Sequence, residues 1–491
     1  MKHRPSPHNS PQSRAPLFEA LAAYIKQPKV PFHTPGHKQG RGIDKAWRRL
    51  VGDAIFRMDL TVLPETDCLF HPTGVIKQAQ ALAAGAYQAD KSYFLINGST
   101  GGNLSMLMGV LFPGDKIIVP RHTHKSVISG LIMSGALPIY IHPEVNREWG
   151  LIMNVSPQAV EKALIKNPGA RAVFVSSPTY HGICCDLGKI VKLSHLNDRI
   201  VMVDQAHGPH LLFHPALPVS AMEAGADICV ESSHKIISGL TQASMLHVKG
   251  PNIDIRDLEE VLLLTQSTSP SYLLMTSLDL ARRQMAMDGR ELLEKSIALS
   301  VKLRSSINKI KGLYCLNPQD VKPFKLDPTK LIVFVDKLGL TGYQASRILN
   351  EKYNIQAEMA DWDHVAFIFS IADGQSEADR LLRALKAMAS SQYGRGPLQK
   401  LDIQFPSNYP AMSLTPREAF FSTYKMVKLK EAVGEISTEF FTVYPPGIPV
   451  IVPGERITHQ AVEYLETMKR LGAILVGPQY GQPGRIRVVA K

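Results

Sequence analysis

The sequence lacks long apolar runs and has few cysteines. The first observation argues against a transmembrane protein and the second against a disulfide-stabilised one. No stretch of its 491 residues approaches the ~18 consecutive apolar residues that a transmembrane helix requires. Its five cysteines are too few and too scattered for a disulfide framework, so we expect a reduced, cytoplasmic location. Apolar residues make up 45% and charged residues 20%, which excludes a largely disordered chain and a coiled coil.

Acidic residues are the scarcer charge, with 43 Asp and Glu against 55 Lys and Arg and a formal net charge of +12. A basic balance raises the question of nucleic acid. The cations are neither clustered nor interleaved with stacking aromatics, so we predict no nucleic-acid partner. A basic surface still favours small anionic ligands such as phosphates.

The pattern along the chain predicts four segments. Residues 1–16 are rich in Pro, Ser and His, and we expect a flexible arm there. A large domain follows over 17–315, a small α/β domain over 316–395, and a C-terminal domain over 396–491. The length agrees with this division, since a domain typically takes roughly 100–200 residues.

Short β-rich runs alternate with amphipathic stretches between residues 75 and 250. The predicted strands are Ser92–Ile96, Lys116–Val119, Pro138–His142, Ala172–Ser176, Ile200–Asp204 and Asp227–Glu231. Several are apolar throughout, as strands covered on both faces are. The alternation predicts an α/β fold with a mainly parallel central sheet, in which ligands lie beyond the carboxyl ends of the strands.

The stretch NGSTGGN (97–103) follows the first predicted strand and precedes an apolar helix predicted over Leu104–Leu111. Ser99, Thr100 and Gly101 at such a helix start offer hydroxyl groups and free backbone N–H groups, which suit an anion such as phosphate. The stretch is neither a Walker loop nor a GxGxxG motif, and alone it also fits an ordinary capped turn.

Two further candidates follow two other strands. Asp204 ends one strand and Lys235 lies just after another, in the run ESSHK. Taken singly, the acid could cap a helix and the lysine could lie on the surface. Together with the helix start they predict pyridoxal 5'-phosphate (PLP), whose aldehyde binds a lysine and whose ring nitrogen needs an acid. Ser232 could add a hydrogen bond to the phosphate.

A metal site competes for part of the same segment. The close spacing of Asp204, His207, His210 and His214 could suggest a metal, but prolines interrupt the helical phase and no zinc-protease pattern is present. We therefore predict no metal. His122 and His124 lie on either side of Thr123, shortly after the predicted strand Lys116–Val119. One of the two histidines could stack on a ligand ring.

Eight motifs occur in one order along the chain: PFHTPGHKQG (31–40), HPTG (71–74), NGSTGGN (97–103), RHTHKS (121–126), DQAHG (204–208), SSHKIISGLTQAS (232–244), STSP (267–270) and YPPGIP (444–449). In these motifs the chain resembles the prokaryotic ornithine/lysine/arginine decarboxylases over about residues 17–491. The resemblance implies the aspartate-aminotransferase-type PLP fold (fold type I), with a C-terminal decarboxylase domain.

The resemblance also implies roles for the matching residues. Lys235 would bind PLP covalently, Asp204 would pair with the pyridinium nitrogen, and His124 would stack on the ring; these three would be catalytic. The other expected cofactor-binding residues are Ser99, Thr100, Gly101, Ala206, His207, Ser232, His234 and Thr268. Thr268 would reach the phosphate of a neighbouring subunit, which implies a homodimer with active sites at its interface.

Some positions depart from the larger relatives. Those carry a receiver-like domain ahead of the PGHK motif, which starts here near residue 31, so we expect the short form and no ring-shaped decamer. His207 replaces a tryptophan found in some members, and Pro120 stands where others often have aspartate.

The reaction implied by the resemblance is α-decarboxylation of lysine, arginine or ornithine. An aminotransferase would use the same lysine and aspartate, and remains an alternative. A non-catalytic protein with this fold is less compatible with the chain, because such proteins often lose one of those two residues. The acid that would meet the distal amine or guanidinium of the substrate is not evident, and Glu439 and Asp361 are candidates.

Overall fold

The computed structural model describes residues 10–392, 396–398, 412–444, 447–477 and 484–490. Its helices are α1 Pro16–Tyr24, α2 Lys45–Val51, α3 Ala54–Met58, α4 Val75–Ala86, α5 Gly98–Val110, α6 Lys125–Ser134, α7 Pro157–Lys166, α8 Leu187–His195, α9 Ala221–Ala224, α10 Ser233–Ile236, α11 Ile255–Thr265, α12 Tyr272–Ile307, α13 Gly342–Tyr353, α14 Gln375–Ser391, α15 Pro416–Phe421 and α16 His459–Arg470. Its strands are β1 Lys91–Leu95, β2 Lys116–Pro120, β3 Leu137–Ile141, β4 Val145–Asn146, β5 Leu151–Ile152, β6 Ala170–Ser176, β7 Ile183–Cys184, β8 Ile200–Asp204, β9 Ile228–Glu231, β10 Ser244–Val248, β11 Tyr314–Cys315, β12 Lys325–Leu326, β13 Lys330–Phe334, β14 Met359–Ala360, β15 His364–Ile368, β16 Tyr424–Lys428, β17 Phe441–Tyr444, β18 Ile448–Ile451, β19 Ile474–Val476 and β20 Arg485–Val489.

The described residues form two compact units. The first comprises residues up to Val110 together with Met202–Leu293, and the second comprises Leu111–Val201 together with residues from Glu294 onward. The division at 315 and 395 that the sequence suggests remains a prediction.

In the first unit, β10 pairs antiparallel with both β1 and β9, and β9 pairs parallel with the end of β8. The parallel register sets Asp204 opposite Val230, so the carboxyl ends of β8 and β9 lie at the same edge. The core of this unit packs α1 and α4 against the strands, with Leu17, Ile76, Phe94, Met245 and Tyr272 buried. The strands therefore deliver the residues after Asp204 and Glu231 to one edge.

Helix α5 lies unusually close to these strands. A Cβ atom on Gly102 would come within 2.3 Å of Val230 Cγ2 and 2.8 Å of Leu95 Cδ1, so only glycine fits. The helix begins at Gly98, whose φ of +65° is the left-handed conformation that glycine tolerates. The helix thus starts several residues earlier than the sequence predicts, and Ser99 lies in its first turn.

The residues that precede α1 belong to the predicted arm, yet from residue 10 onward they have fixed partners. Arg282 of α12 donates hydrogen bonds from Nη1 to the carbonyl of Gln12 (2.8 Å) and from Nη2 to that of Arg14 (2.6 Å). Asp279 accepts from the backbone N–H of Leu17 at 3.0 Å and forms a fully buried ion pair with Arg282. Residues 1–9 of the predicted arm lie outside the described residues.

In the second unit, β2 pairs parallel with both β6 and β3, and Ile118 lies opposite Val173 and Ile139. A separate antiparallel sheet has the order β11–β13–β15–β14, and α13 and α14 contribute to the core around it. Towards the C-terminus, β16 pairs with β20, β17 pairs with β18 and β19, and α16 shares their core. The prolines of the YPPGIP motif, residues 445 and 446, lie outside the described residues.

All six strands predicted between residues 92 and 231 are present, with bounds that agree within two residues. Three of their pairings are parallel, and the antiparallel β10 is a strand that the prediction missed. The predicted α/β fold with a mainly parallel sheet is therefore confirmed. None of the helices among the described residues combines the length and the hydropathy that a membrane span requires.

Candidate active site

Lys235 lies in α10, a single helical turn that directly follows β9. Its backbone N–H donates to the carbonyl of Ser232 at 3.3 Å, and its side chain is half-buried. The Nζ atom lies 2.9 Å from Nε2 of His207, whose ring is buried. A primary amine held at hydrogen-bond distance from an imidazole, just beyond a strand, is a candidate nucleophile.

Asp204 is the last residue of β8, and its side chain is buried. Oδ2 accepts a hydrogen bond from Nδ2 of Asn103 at 2.9 Å, and Oδ1 accepts from the backbone N–H of Ala206 at 3.0 Å. Each oxygen therefore has a donor that fixes its direction. A buried, oriented carboxylate suits a cationic partner such as a protonated pyridine ring.

Three serine hydroxyl groups meet near the start of α5. Ser99 Oγ lies 2.5 Å from Ser232 Oγ and 3.3 Å from Ser244 Oγ. These serines come from α5, from the residue after β9 and from the start of β10, so three elements converge on one point. Hydroxyl donors beside the N-terminus of a 13-residue helix are chemically suited to a phosphate group, and we call these three residues the serine cradle.

These three features fit PLP. The amine of Lys235 can bind its aldehyde, the carboxylate of Asp204 can pair with its ring nitrogen, and the serine cradle at Ser99 can hold its phosphate. Within the described residues no group of three or more His, Cys, Asp or Glu is arranged to hold a metal ion.

The remaining predicted residues of the first unit differ in exposure. Gly101 is buried, Thr100 is exposed, and Thr268 is exposed in the loop after α11. His234 is half-buried, and its Nδ1 lies 3.2 Å from the carbonyl of Ala243. These four residues therefore do not share one environment, and their roles remain predictions.

His124 belongs to the second unit, where it caps the N-terminus of α6. Its Nδ1 accepts from the backbone N–H of Ser126 at 3.2 Å and lies 2.8 Å from the Ser126 hydroxyl, which fixes the ring plane. The neighbouring His122 is 4% exposed, and neither of its ring nitrogens has a hydrogen-bond partner among the described residues. Burial lowers the pKa of His122 to about 4, so its ring is neutral at physiological pH.

Both acids suggested for the distal group of the substrate already have partners in the second unit. Glu439 is 2% exposed and accepts from Arg487 through Nε (2.8 Å) and the backbone N–H (2.9 Å). Asp361 accepts from the N–H of Trp362 at 2.7 Å, and burial raises its pKa. Glu439 is therefore buried and paired with Arg487, and its role towards a substrate remains a prediction.

Sequence reasoning missed Asn103, Ser244 and Gln205 as site residues. Asn103 was visible as the last residue of the NGSTGGN motif, but nothing in the sequence connects it with Asp204. Ser244 lies in the SSHKIISGLTQAS motif and joins the serine cradle only because β10 runs antiparallel to β9. Gln205 follows Asp204 and is completely buried.

Comparisons with known proteins identify the family of this chain. Residues 15–377 match the family described as Orn/Lys/Arg decarboxylase, major domain, and residues 399–478 match the Orn/Lys/Arg decarboxylase, C-terminal domain. The arginine decarboxylase of Halalkalibacterium halodurans is 41% identical over 98% of both chains, and that of Bacillus subtilis is 40% identical over 97% of this chain and 98% of its own.

The fold has solved counterparts as well. The crystal structure of the lysine decarboxylase of Francisella novicida superposes with a TM-score of 0.85 at 24% identity, covering 98% of this chain and 82% of that one. The fold is therefore that of the PLP-dependent fold type I enzymes, as predicted. The two matched domains and the full-length relatives establish that this chain belongs to the Orn/Lys/Arg decarboxylase family.

Proposed function

We propose that this protein catalyses the PLP-dependent α-decarboxylation of a basic amino acid to CO2 and the corresponding amine. The observation that carries the proposal is the 2.9 Å contact between Lys235 Nζ and His207 Nε2, together with the buried carboxylate of Asp204, three residues before His207 in the chain. Family membership supports the reaction type, because the fold alone also serves aminotransferases.

PLP, when bound, supplies an electron sink that stabilises the negative charge left at Cα when the carboxylate departs as CO2. Lys235 would hold the cofactor through Nζ, and the hydroxyl groups of Ser99 and Ser232 would hold its phosphate. Asp204 would keep a proton on the ring nitrogen through its negative charge. Each pKa unit by which a carboxylate raises that nitrogen corresponds to about 1.4 kcal/mol.

His207 would act as the proton acceptor for the ammonium group of Lys235. A lysine amine can attack a carbonyl only after it has lost a proton, and an imidazole nitrogen at 2.9 Å can accept one. His207 is buried, so water competes little for this contact. His124, whose ring plane is fixed by Ser126, would stack on the cofactor ring and exclude solvent from its face.

Arginine is the substrate that we propose first, with agmatine, a precursor of polyamines, as the product. The relatives that share about 40% of residues over nearly the full chain are named arginine decarboxylases, whereas the lysine decarboxylase of F. novicida shares 24%. Lysine and ornithine, which would give cadaverine and putrescine, are the alternatives.

We further propose a cytoplasmic homodimer in which Thr268 reaches the phosphate site of the second subunit. Thr268 is exposed, and Leu263 and Leu264 in the preceding helix α11 are 49% and 77% exposed. An apolar patch beside an exposed hydroxyl suits an interface between two copies. Sedimentation of the holoenzyme tests the dimer, and a monomer that binds PLP tightly would contradict it.

The decisive experiment incubates the purified, PLP-loaded protein separately with arginine, lysine and ornithine labelled at the carboxyl carbon. We expect labelled CO2 from arginine in a 1:1 ratio with agmatine. Labelled 2-oxo acid without CO2 would identify an aminotransferase and overturn the proposal. A visible absorbance band from the bound cofactor with no turnover of any basic amino acid would also overturn it.

A further inference from the structure

Gln205 lies between Asp204 and Ala206, is completely buried, and uses its whole side-chain amide in hydrogen bonds. Its Oε1 accepts from the backbone N–H of Ala221 at 2.6 Å. Its Nε2 donates to the carbonyl of Gly208 at 3.2 Å and also to Oε1 of Glu231. A buried amide with all of these bonds has one allowed orientation.

The bond to Gly208 matters because of what it encloses. The backbone N–H of Ala206 donates a hydrogen bond to Asp204, and the carbonyl of Gly208 accepts one from Gln205. Both residues next to His207 are therefore held in place by hydrogen bonds. The N–H of Gly208 also donates to the carbonyl of Gln205 at 2.8 Å. The imidazole of His207 is thereby presented from a turn that is fixed on both sides.

The bond to Glu231 connects this turn to the lysine. Glu231 is the last residue of β9, 2% exposed, and it directly precedes the turn that carries Lys235. A side-chain bond between Gln205 and Glu231 therefore ties the segment of His207 to the segment of Lys235. The backbone N–H of Gln205 also donates to the carbonyl of Val230 at 2.9 Å, which holds the same two segments in register.

The second oxygen of Glu231 faces a histidine. Oε2 lies 3.6 Å from Nε2 of His247, a fully buried residue whose Nδ1 is 2.7 Å from the hydroxyl of Ser92. The ring of Tyr87 stacks on His247 with 4.4 Å between centroids. The carboxylate is thus enclosed on two sides by polar groups, and none of these residues has a role in the mechanism given above.

We propose that Gln205 and Glu231 are positioning residues, which hold Nε2 of His207 against Nζ of Lys235. This inference rests on the proposed function, since it concerns the lysine that would bind PLP. In this proposal the two buried side chains maintain the 2.9 Å distance between Lys235 Nζ and His207 Nε2, in addition to any contribution to stability. The hydrogen bond between Gln205 and Glu231 holds the histidine and the lysine in this position. The charge of Glu231 is not required for it.

The test compares three variants with a matched control. Glu231→Ala and Gln205→Ala remove the bond, whereas Glu231→Gln keeps an amide oxygen that can still accept from Gln205. Asp279→Asn perturbs another buried carboxylate of the same unit, whose partners are Arg282 and the N–H of Leu17. The readout is the rate at which each apoprotein fixes added PLP on Lys235, trapped with borohydride and located by mass spectrometry.

We expect roughly tenfold slower fixation in Glu231→Ala and Gln205→Ala, and a rate within about twofold of the unsubstituted protein in Glu231→Gln and Asp279→Asn. In the holoenzyme, kcat should fall with the fixation rate while KM changes little. If Glu231→Ala does not fold, Gln205→Ala serves in its place, since it removes the same bond together with those to Ala221 and Gly208.

Two outcomes would overturn the positioning role. One is unchanged fixation in both alanine variants. The other is a Glu231→Gln variant as slow as Glu231→Ala, which would assign the effect to charge. If the unsubstituted protein fixes PLP on Lys235 but releases no CO2, the proposed function fails while the fixation rates still decide this inference.

Discussion

Arg121 and Glu455 form a buried, two-pronged ion pair, although 334 positions separate them in the sequence. Nε donates to Oε1 and Nη2 donates to Oε2, both at 2.8 Å, and the two side chains are 0% and 3% exposed. Arg121 directly follows β2 and also donates to the carbonyls of Pro449 and Val450. Arg121 therefore connects the RHTHKS motif to the C-terminal residues 449–455 within the second unit.

Glu455→Gln should destabilise the protein strongly, because it leaves the buried guanidinium without a counter-charge. We expect the free energy of unfolding in urea to fall by about 3–5 kcal/mol. Lys425→Ala, which breaks the more exposed pair with Glu435, should cost less than about 1 kcal/mol. Similar losses in the two variants would show that the Arg121 pair contributes little.

Asp204→Asn should abolish most turnover while the protein keeps its cofactor. The amide is nearly isosteric but lacks the negative charge that would hold a proton on the pyridine nitrogen, so we expect kcat to fall by at least about a hundredfold. Asn103→Ala, which removes one hydrogen bond to Asp204 and leaves the charge, should lose about tenfold or less. Steady-state kinetics and the cofactor content after denaturation measure both effects, and near-normal kcat in Asp204→Asn would refute the assignment.

Lys235→Ala should lose the visible absorbance of lysine-bound PLP and fix no cofactor after borohydride treatment. The reason is covalent, because the variant lacks the Nζ atom that would bind the cofactor aldehyde. Lys249→Ala is the control, because Lys249 donates to the carbonyl of Met222 in the same unit. Cofactor fixed by borohydride in Lys235→Ala would identify a different lysine.

Ser232→Ala should weaken PLP binding by about ten- to a hundredfold, because it removes one hydroxyl donor to a charged phosphate. Ser105→Ala should leave the affinity unchanged, since the Ser105 hydroxyl bonds within the protein to the carbonyl of Gly101 and to Thr265. Titration of the apoproteins with PLP measures both dissociation constants. Equal affinities in the two variants would place the phosphate elsewhere.

Acid should destabilise the protein partly through His122. Burial lowers its pKa in the folded state to about 4, whereas the unfolded chain has a value near 6.5. Between these values protons bind the unfolded chain and not the native one, so stability falls as the pH falls through this window. From pH 7.5 to pH 5 this site should cost about 2 kcal/mol.

His122→Leu tests that expectation, because it removes the titrating ring from its buried position. Urea unfolding at pH 7.5 and at pH 5 should show an acid-induced loss that is smaller by about 2 kcal/mol in the variant. His181, whose pKa burial lowers to about 3, should produce a similar loss in both proteins. An identical pH dependence in the two proteins would mean that His122 is solvated.

The parallel strands were predictable because burial on both faces leaves an apolar signature in the sequence. Ile200–Asp204 was predicted at its observed bounds, and the strand that ends at Glu231 within one residue. The residues just beyond them could therefore be selected as site candidates. The start of α5 was not predictable from helix propensity, because its glycines are demanded by contact with Val230 and Leu258, which no local pattern reveals.

Hydrogen bonds between side chains that are far apart in the sequence could not be predicted either. Asn103 meets Asp204 across 101 positions and Gln205 meets Glu231 across 26, through pairings set by the whole sheet. Glu439 gives another example. The sequence offered it as a candidate for a substrate contact, and nothing in its surroundings in the chain indicated that Arg487 of β20 pairs with it.

The absence of a side chain at Gly102 allows α5, which carries Ser99, to lie close to β1 and β9. An added methyl group would meet Val230 at 2.3 Å, well inside the roughly 3.5 Å at which carbon atoms make contact, so α5 would have to retreat by about 1 Å. Ser99 would move with it, away from Ser232. This glycine therefore sets how closely α5 can approach β9, and we expect any larger residue there to change the spacing of the Ser99 and Ser232 hydroxyl groups.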